Sequence, residues 1–284
     1  MAKKRDFVDL SDLSGKEISR LISLAGKIKK SPAKYSRKLS GKTLLMFFEK
    51  PSLRTRVSFE VGMEKMGGHA IYYDIANSPM GKGETISDTA RTASRYVDII
   101  LARLYRHEDI LEFSKNSTVP VINALTNYSH PCQIVADLLA IKEKRGKLKG
   151  LKLCYLGDGN NNVTHSLLVG CAKVGISVSV ACPEGEEYSP KKQVLYIASH
   201  EGVKTGSEIS VTSDPKEALR EADIVVTDSW MSYHIPKEAQ EERVKIFAPY
   251  QVDLKKMSLA KKGAIFLHCL PAKRGMEVTG DVID

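Results

Sequence analysis

Short apolar runs alternate along the chain with segments of helical period. In the first half the runs are "KTLLMFFE", "HAIYYD", "DIILARL" and "PVINAL". They are apolar on both faces, as expected for strands covered on both sides. A helix is predicted in "SGKEISRLISLAGKIKK". In "SFEVGMEKM", Phe59, Met63 and Met66 recur at i, i+4, i+7, and "ISDTARTASRY" reads as another helix. Ile134, Leu138 and Ile141 share one stripe of "QIVADLLAIKEKRGK". That pattern ends at Gly146, a charged stretch leads to Gly150, and the alternation restarts with "LKLCYLGD", "SVSVACP", "ADIVVTDSW" and "GAIFLHCL". Strands alternating with helices predict βαβ units and parallel sheets. The expected fold class is α/β, with two doubly wound parallel-sheet domains and helices on both faces of each. The domains are expected at residues 1–145 and 146–284.

Composition fits this division. A chain of 284 residues with 42% apolar and 27% charged residues can bury two cores. The formal net charge is +9. Such a balance suits nucleic acid, a membrane surface or a small anionic substrate. The lysines are scattered, with no basic stripe and no reading motif, which argues against nucleic acid. No apolar run reaches membrane length, and "MAKKRDFVDL" has no apolar leader core. The five cysteines, Cys132, Cys154, Cys171, Cys182 and Cys269, form no CxxC pair. Dispersed and odd in number, they fit a reducing compartment. The expectation is a cytoplasmic protein with no membrane partner. No histidine has metal-ligand spacing, so no metal and no cofactor is assigned.

In open α/β sheets, ligands bind beyond the carboxyl ends of strands, and the polar clusters fall there. "PSLRTR" follows the first strand, Arg103 ends the third, and "NYSHPCQ" follows the fourth. "GDGNNN", "DSWMS" and "HCLP" close strands of the second half. In "PSLRTR", Ser52 reads as a helix cap followed by free backbone N–H groups. Cations at a helix start oppose the macrodipole, so an anion is expected there. The first-turn amides, two hydroxyls and Arg54 would cradle a phosphate. A capped surface helix with solvated arginines is the alternative. Arg56 would pair with Glu60, four residues on. Adjacent His268 and Cys269 would face opposite ways on a strand and make a poor catalytic dyad. "LGDGNNN" lacks the GxGxxG of a dinucleotide loop.

Several of these segments carry a family resemblance. "SLRTR" resembles the Ser-x-Arg-Thr-Arg phosphate motif of the carbamoyltransferases. "HPCQ" with "ADLL", and "HCLPAKRGMEVTGDV", are similar to ornithine-type rather than aspartate-type members, and "MGKGETISDTARTASRY" resembles their interface loop and following helix. The resemblance runs in order over nearly the whole chain. It implies a carbamoyl-phosphate domain, an amino-acid domain, and a homotrimer or multiple of trimers. The implied reaction transfers the carbamoyl group of carbamoyl phosphate to L-ornithine, giving L-citrulline and phosphate.

By the same resemblance Ser52, Leu53, Arg54 and Thr55 would hold the phosphate. Arg103, His130 and Thr55 would polarise the carbonyl. His130, Pro131, Cys132 and Gln133, with Cys269 and Leu270, would surround carbamoyl phosphate, Gln133 accepting from its NH2. The groups assigned to catalysis are Arg54, Arg103, His130 and Cys269. Asn162, Asp228, Ser232 and Tyr233 would bind ornithine. Ornithine-type members read Asp-x-x-x-Ser-Met-Gly at the last of these, where this chain has "DSWMSYH". A carbamoyltransferase for another amine, such as putrescine or lysine, and a non-catalytic homologue are the alternatives. Family members usually add a last helix with a further phosphate-binding arginine, and without it weaker carbamoyl-phosphate binding is expected.

Overall fold

The computed structural model describes residues 4–231 and 240–284. By compactness the chain divides into two units. One comprises the chain up to Leu13 and Ser19–Cys132; the other comprises Ser14–Ile18 and Gln133–Asp284. The division falls in the first turn of a helix, and the boundary expected from the sequence, at residue 145, lies at that helix's end.

The first unit is built on strands β1 (Thr43–Phe48), β2 (His69–Asp74), β3 (Ile99–Arg103) and β4 (Val121–Leu125). Its helices include α2 (Leu53–Lys65), α3 (Ile86–Ala93) and α4 (His107–Asn116), preceded in the chain by α1 (Gly15–Lys30). The strands are parallel and ordered β2-β1-β3-β4. Strand period decides the core. Leu44, Met46 and Phe48 of β1 pack with Met63 of α2, while Phe47 joins Ala90 and Ala93 of α3 and Ile110 and Phe113 of α4. Helices therefore cover both faces, and each fully buried side chain of this size contributes about 1.5–3 kcal/mol. The Phe47 and Phe113 rings lie 5.0 Å apart.

The second unit takes in α5 (Pro131–Arg145), whose Ile134, Leu138 and Ile141 are fully buried. There follow β5 (Lys152–Leu156), α6 (Asn162–Val174), β6 (Ser177–Ala181), α7 (Lys192–Thr205), β7 (Ile209–Thr212) and α8 (Pro215–Leu219). Then come β8 (Ile224–Thr227), α9 (Gln240–Phe247), α10 (Leu254–Met257), β9 (Ile265–His268) and α11 (Gly280–Ile283). The strands are again parallel, ordered β7-β6-β5-β8-β9. Cys154, Leu156, Val225, Trp230 and Phe247 centre its apolar cluster.

Chain ends of helices follow local chemistry. Ser14 and Glu17 form a reciprocal capping box at α1: Ser14 N–H donates to Glu17 Oε2 at 2.8 Å and Glu17 N–H to Ser14 Oγ at 3.3 Å. α6 stops where Gly175 turns left-handed, φ 82°. In each sheet one central strand has its chain successor on one side and a later strand on the other. β1 lies between β2 and β3, and β5 between β6 and β8. These are the topological switch points where α/β sheets open to ligands.

Candidate active site

The strand-end residues form two sets, one in each unit. In the first unit, β1 ends at Phe48 and α2 starts at Leu53. Ser52 is extended, φ −158°, and its Oγ accepts the Thr55 N–H at 3.3 Å. It is the expected N-cap, and it leaves first-turn amides directed outward. Ser52 Oγ also donates to Thr55 Oγ1 at 3.1 Å. Arg103, at the end of β3 beside Phe48, is 6% exposed and donates to the same Thr55 Oγ1 at 3.3 Å. Ser52, Thr55 and Arg103 thus converge. Leu53 and Arg54 are exposed in the same turn. Arg56 turns away: its Nε meets Glu60 Oε1 at 2.9 Å, and its guanidinium lies 4.0 Å from the Tyr72 ring centre. The expected division between Arg54 and Arg56 therefore holds for the Arg56–Glu60 pair.

His130 follows β4 and immediately precedes α5. Burial, then the charges of Arg103 and Lys50, lower its pKa to about 3. The ring is neutral at physiological pH, so it can donate a hydrogen bond without adding charge. Lys50 was not singled out in the sequence, where it reads as a strand-end lysine. Pro131 opens α5, and the Cys132 thiol turns back to β4, donating to the Asn123 carbonyl at 3.4 Å. Burial raises that thiol's pKa to about 12, leaving it an inert packing group.

In the second unit, Gln133 Nε2 donates to Asp137 Oδ1 at 2.9 Å. With one N–H of its NH2 committed to Asp137, the amide keeps its oxygen as an acceptor. Asp137 was missed as a single residue, although the i, i+4 spacing on α5 would have signalled it. Burial, with the Asp228 charge adding to it, raises Asp137's pKa to about 7 against the Gln133 hydrogen bond.

After β5, Asn161 is the N-cap of α6, accepting Thr164 N–H at 2.8 Å and donating to the Tyr155 hydroxyl at 2.8 Å. Asn162, the next residue, is half-buried at the first helical position. Gly159 is required by close approach: a Cβ there would lie 2.6 Å from the Tyr188 carbonyl. That is a packing reason for the glycine of "GDGNNN". After β8, Asp228 Oδ1 accepts the Ser229 N–H at 2.7 Å and the Cys269 thiol at 3.0 Å. Ser232 and Tyr233 lie outside the described residues.

The end of β9 has its own geometry. Leu270 has φ 60°, an uncommon conformation for a branched residue, and costs of this kind cluster at ligand sites. The Leu270–Pro271 peptide is cis. The Leu270 N–H donates to His268 Nδ1 at 2.8 Å, so the ring proton sits on Nε2, which faces Glu277 Oε1 at 3.4 Å. Glu277 Oε1 also accepts the Lys273 N–H at 2.6 Å. His268 and Cys269 diverge as expected, one toward Glu277 and the other toward Asp228. Glu277 carries no sequence signal. Among the described residues, no three His, Cys, Asp or Glu side chains are grouped to hold a metal ion.

The sequence matches two family descriptions. Residues 5–143 match "Aspartate/ornithine carbamoyltransferase, carbamoyl-P binding domain", and residues 149–284 match "Aspartate/ornithine carbamoyltransferase, Asp/Orn binding domain". A protein of Carboxydothermus hydrogenoformans named ornithine carbamoyltransferase is 51% identical over 283 residues, covering 99% of this chain and 89% of its own. The solved ornithine carbamoyltransferase of Pyrococcus furiosus is similar with TM-score 0.94 and 47% identity, over 99% of this chain and 89% of that one. The ornithine transcarbamoylase of Giardia lamblia is similar with TM-score 0.90 and 42% identity, over 99% and 90%.

Proposed function

The chain belongs to the aspartate/ornithine carbamoyltransferase family, and from that membership we infer that it is an enzyme transferring the carbamoyl group of carbamoyl phosphate to L-ornithine, with L-citrulline and phosphate as products. The observation that carries the inference is the 51% identity, over 99% of this chain, to a protein of that activity's name.

We propose the following roles. The first-turn amides of α2 with Ser52, Leu53, Arg54 and Thr55 hold the phosphate. This is supported by the Ser52 cap and by the Thr55–Arg103 contact at 3.3 Å. Arg103 and neutral His130 donate to the carbamoyl oxygen, where charge develops as the amine attacks. Fixed donors aimed at that oxygen supply the largest catalytic contribution. The Gln133 amide oxygen and main-chain carbonyls near Leu270 accept from the carbamoyl NH2, with Pro131 and Cys132 shaping the surround. Asn162 and Asp228, with Ser232 and Tyr233, bind ornithine. Cys269 lies beside its reacting amine, a role supported by the thiol's bond to Asp228. Holding both substrates in reacting geometry removes further entropy from the barrier.

A homotrimer, or a multiple of it, is proposed. It is supported by the exposed apolar residues Leu53, Val57 and Val61 along one side of α2. A cytoplasmic location is proposed from the five free cysteines.

The test offers purified protein carbamoyl phosphate with ornithine, putrescine, lysine or aspartate in turn. Citrulline from ornithine is expected. No ureido product from any amine overturns the reading, and product from putrescine alone removes ornithine as the acceptor.

A further inference from the structure

One guanidinium ties together the two segments that carry Asn162 and Asp228. Arg243, in α9, donates from Nε to the Trp230 carbonyl at 2.5 Å and from Nη2 to Asp158 Oδ2. Trp230 lies two residues beyond Asp228, and Asp158 four residues before Asn162. Both partners are buried, Trp230 at 1% and Asp158 at 6% exposed. The Arg243 guanidinium also lies over the Phe247 ring, 4.6 Å from its centre, and Trp230 stacks on that ring at 6.0 Å.

Each partner passes the constraint on. Asp158 Oδ1 accepts the Asn160 N–H at 2.9 Å, and its main-chain oxygen accepts from Asn161 Nδ2 at 2.7 Å and Thr164 Oγ1 at 3.1 Å. Asn161 caps α6, so the position of Asn162 follows from the Asp158 loop. On the other side, Trp230 continues the segment in which Ser229 N–H bonds Asp228 Oδ1 and Ser229 Oγ accepts the Met231 N–H at 3.2 Å. A planar guanidinium offers donors in a fixed fork, so it sets the spacing between its two acceptors as well as attracting them.

We propose that Arg243 is a positioning residue for the amine substrate: its fork to Asp158 and the Trp230 carbonyl fixes the separation of Asn162 and Asp228. This rests on the reading of those two residues as the ornithine-binding pair. Arg243 touches no substrate. It acts by holding the β5–α6 turn and the segment after β8 in register, so its loss is felt at ornithine and not at carbamoyl phosphate. A misplacement of about 1 Å at a substrate-holding group can cost on the order of 100-fold in rate.

The test is steady-state kinetics of Arg243→Gln and Arg243→Lys in the full chain, varying each substrate against saturating levels of the other, with thermal unfolding measured in parallel. Arg243→Gln is expected to raise the ornithine KM by about 10-fold or more and to leave the carbamoyl-phosphate KM within about 2-fold. Arg243→Lys, able to reach only one acceptor, is expected to show a smaller rise of the same selectivity. Folded Arg243→Gln with an unchanged ornithine KM, or with both KM values raised equally, overturns the proposal. If Arg243→Gln does not fold, a wild-type ornithine KM in Arg243→Lys overturns it. Failure of the wild-type protein to form citrulline overturns the functional reading as well. Active wild type with unaltered variants defeats the positioning role alone.

Discussion

Gln133 and Asp137 sit one helical turn apart on α5, and the Gln133 amide donates to the Asp137 carboxyl across 2.9 Å. The carboxyl therefore orients the amide oxygen that is proposed to accept from the carbamoyl group. Burial raises the pKa of Asp137 from 3.8 to about 7. Between those values the folded chain binds a proton that the unfolded chain has released. The contribution of Asp137 to stability thus falls as pH rises through this window, with a slope of at most about 1.4 kcal/mol per pH unit. Asp137→Asn keeps an acceptor for Gln133 and removes the titration. Urea unfolding at pH 5 and pH 8 should show the variant gaining on wild type at the higher pH. An equal difference at both values would contradict the assignment.

His130 has the opposite sign. Its pKa falls from 6.5 to about 3, so between these values the unfolded chain binds the extra proton and stability drops as pH falls. His130→Gln should lose that share of the acid slope in denaturant titrations from pH 7 to pH 4. His130→Ala, which removes the ring donor altogether, should lower citrulline-forming activity at neutral pH by about 100-fold, the usual scale for losing one transition-state donor.

The two arginines of "SLRTR" should separate cleanly. Arg54→Ala is expected to raise the carbamoyl-phosphate KM by about 10- to 100-fold, as for loss of a charge-assisted bond. Arg56→Ala removes an exposed pair with Glu60, of the kind worth under about 1 kcal/mol, and a stacking contact with Tyr72. It should change that KM by less than about 3-fold. Similar effects from both variants, measured by phosphate release, would refute the division.

Glu277, 1% exposed, accepts the Lys273 N–H and lies 3.4 Å from His268 Nε2. Glu277→Leu strands the Lys273 N–H, at about 1–3 kcal/mol. Glu277→Gln retains an acceptor oxygen and should lose less. Chemical denaturation of both variants orders these losses, and an indistinguishable pair would remove the acceptor role.

Legibility in the sequence followed the range of the interactions. β1, β3 and β5 are apolar on both faces, so their runs identified a covered parallel sheet without reference to partners. β7, at the sheet edge with a half-exposed "ISVT", did not stand out as a strand, because its sequence lacks that double-sided pattern. Ser52 and the Arg56–Glu60 pair were readable because capping and i, i+4 contacts are local. The sequence could not announce that Arg243 meets Asp158, 85 positions away, or that Glu277 closes under His268. Such contacts exist only once the sheet has brought distant strand ends side by side.

The apolar clusters of the two units have no residue in common: Phe47, Ile100 and Phe113 belong to one, and Leu156, Trp230 and Phe247 to the other. The turn proposed to hold the phosphate and the turns proposed to bind the amine are thereby encoded in separate stretches of sequence, each with its own packing constraints. Selection for a different amine can act on the turns after β5 and β8 while the turn after β1 stays under its own constraints. Substrate range in such a scaffold can diversify by local rewriting.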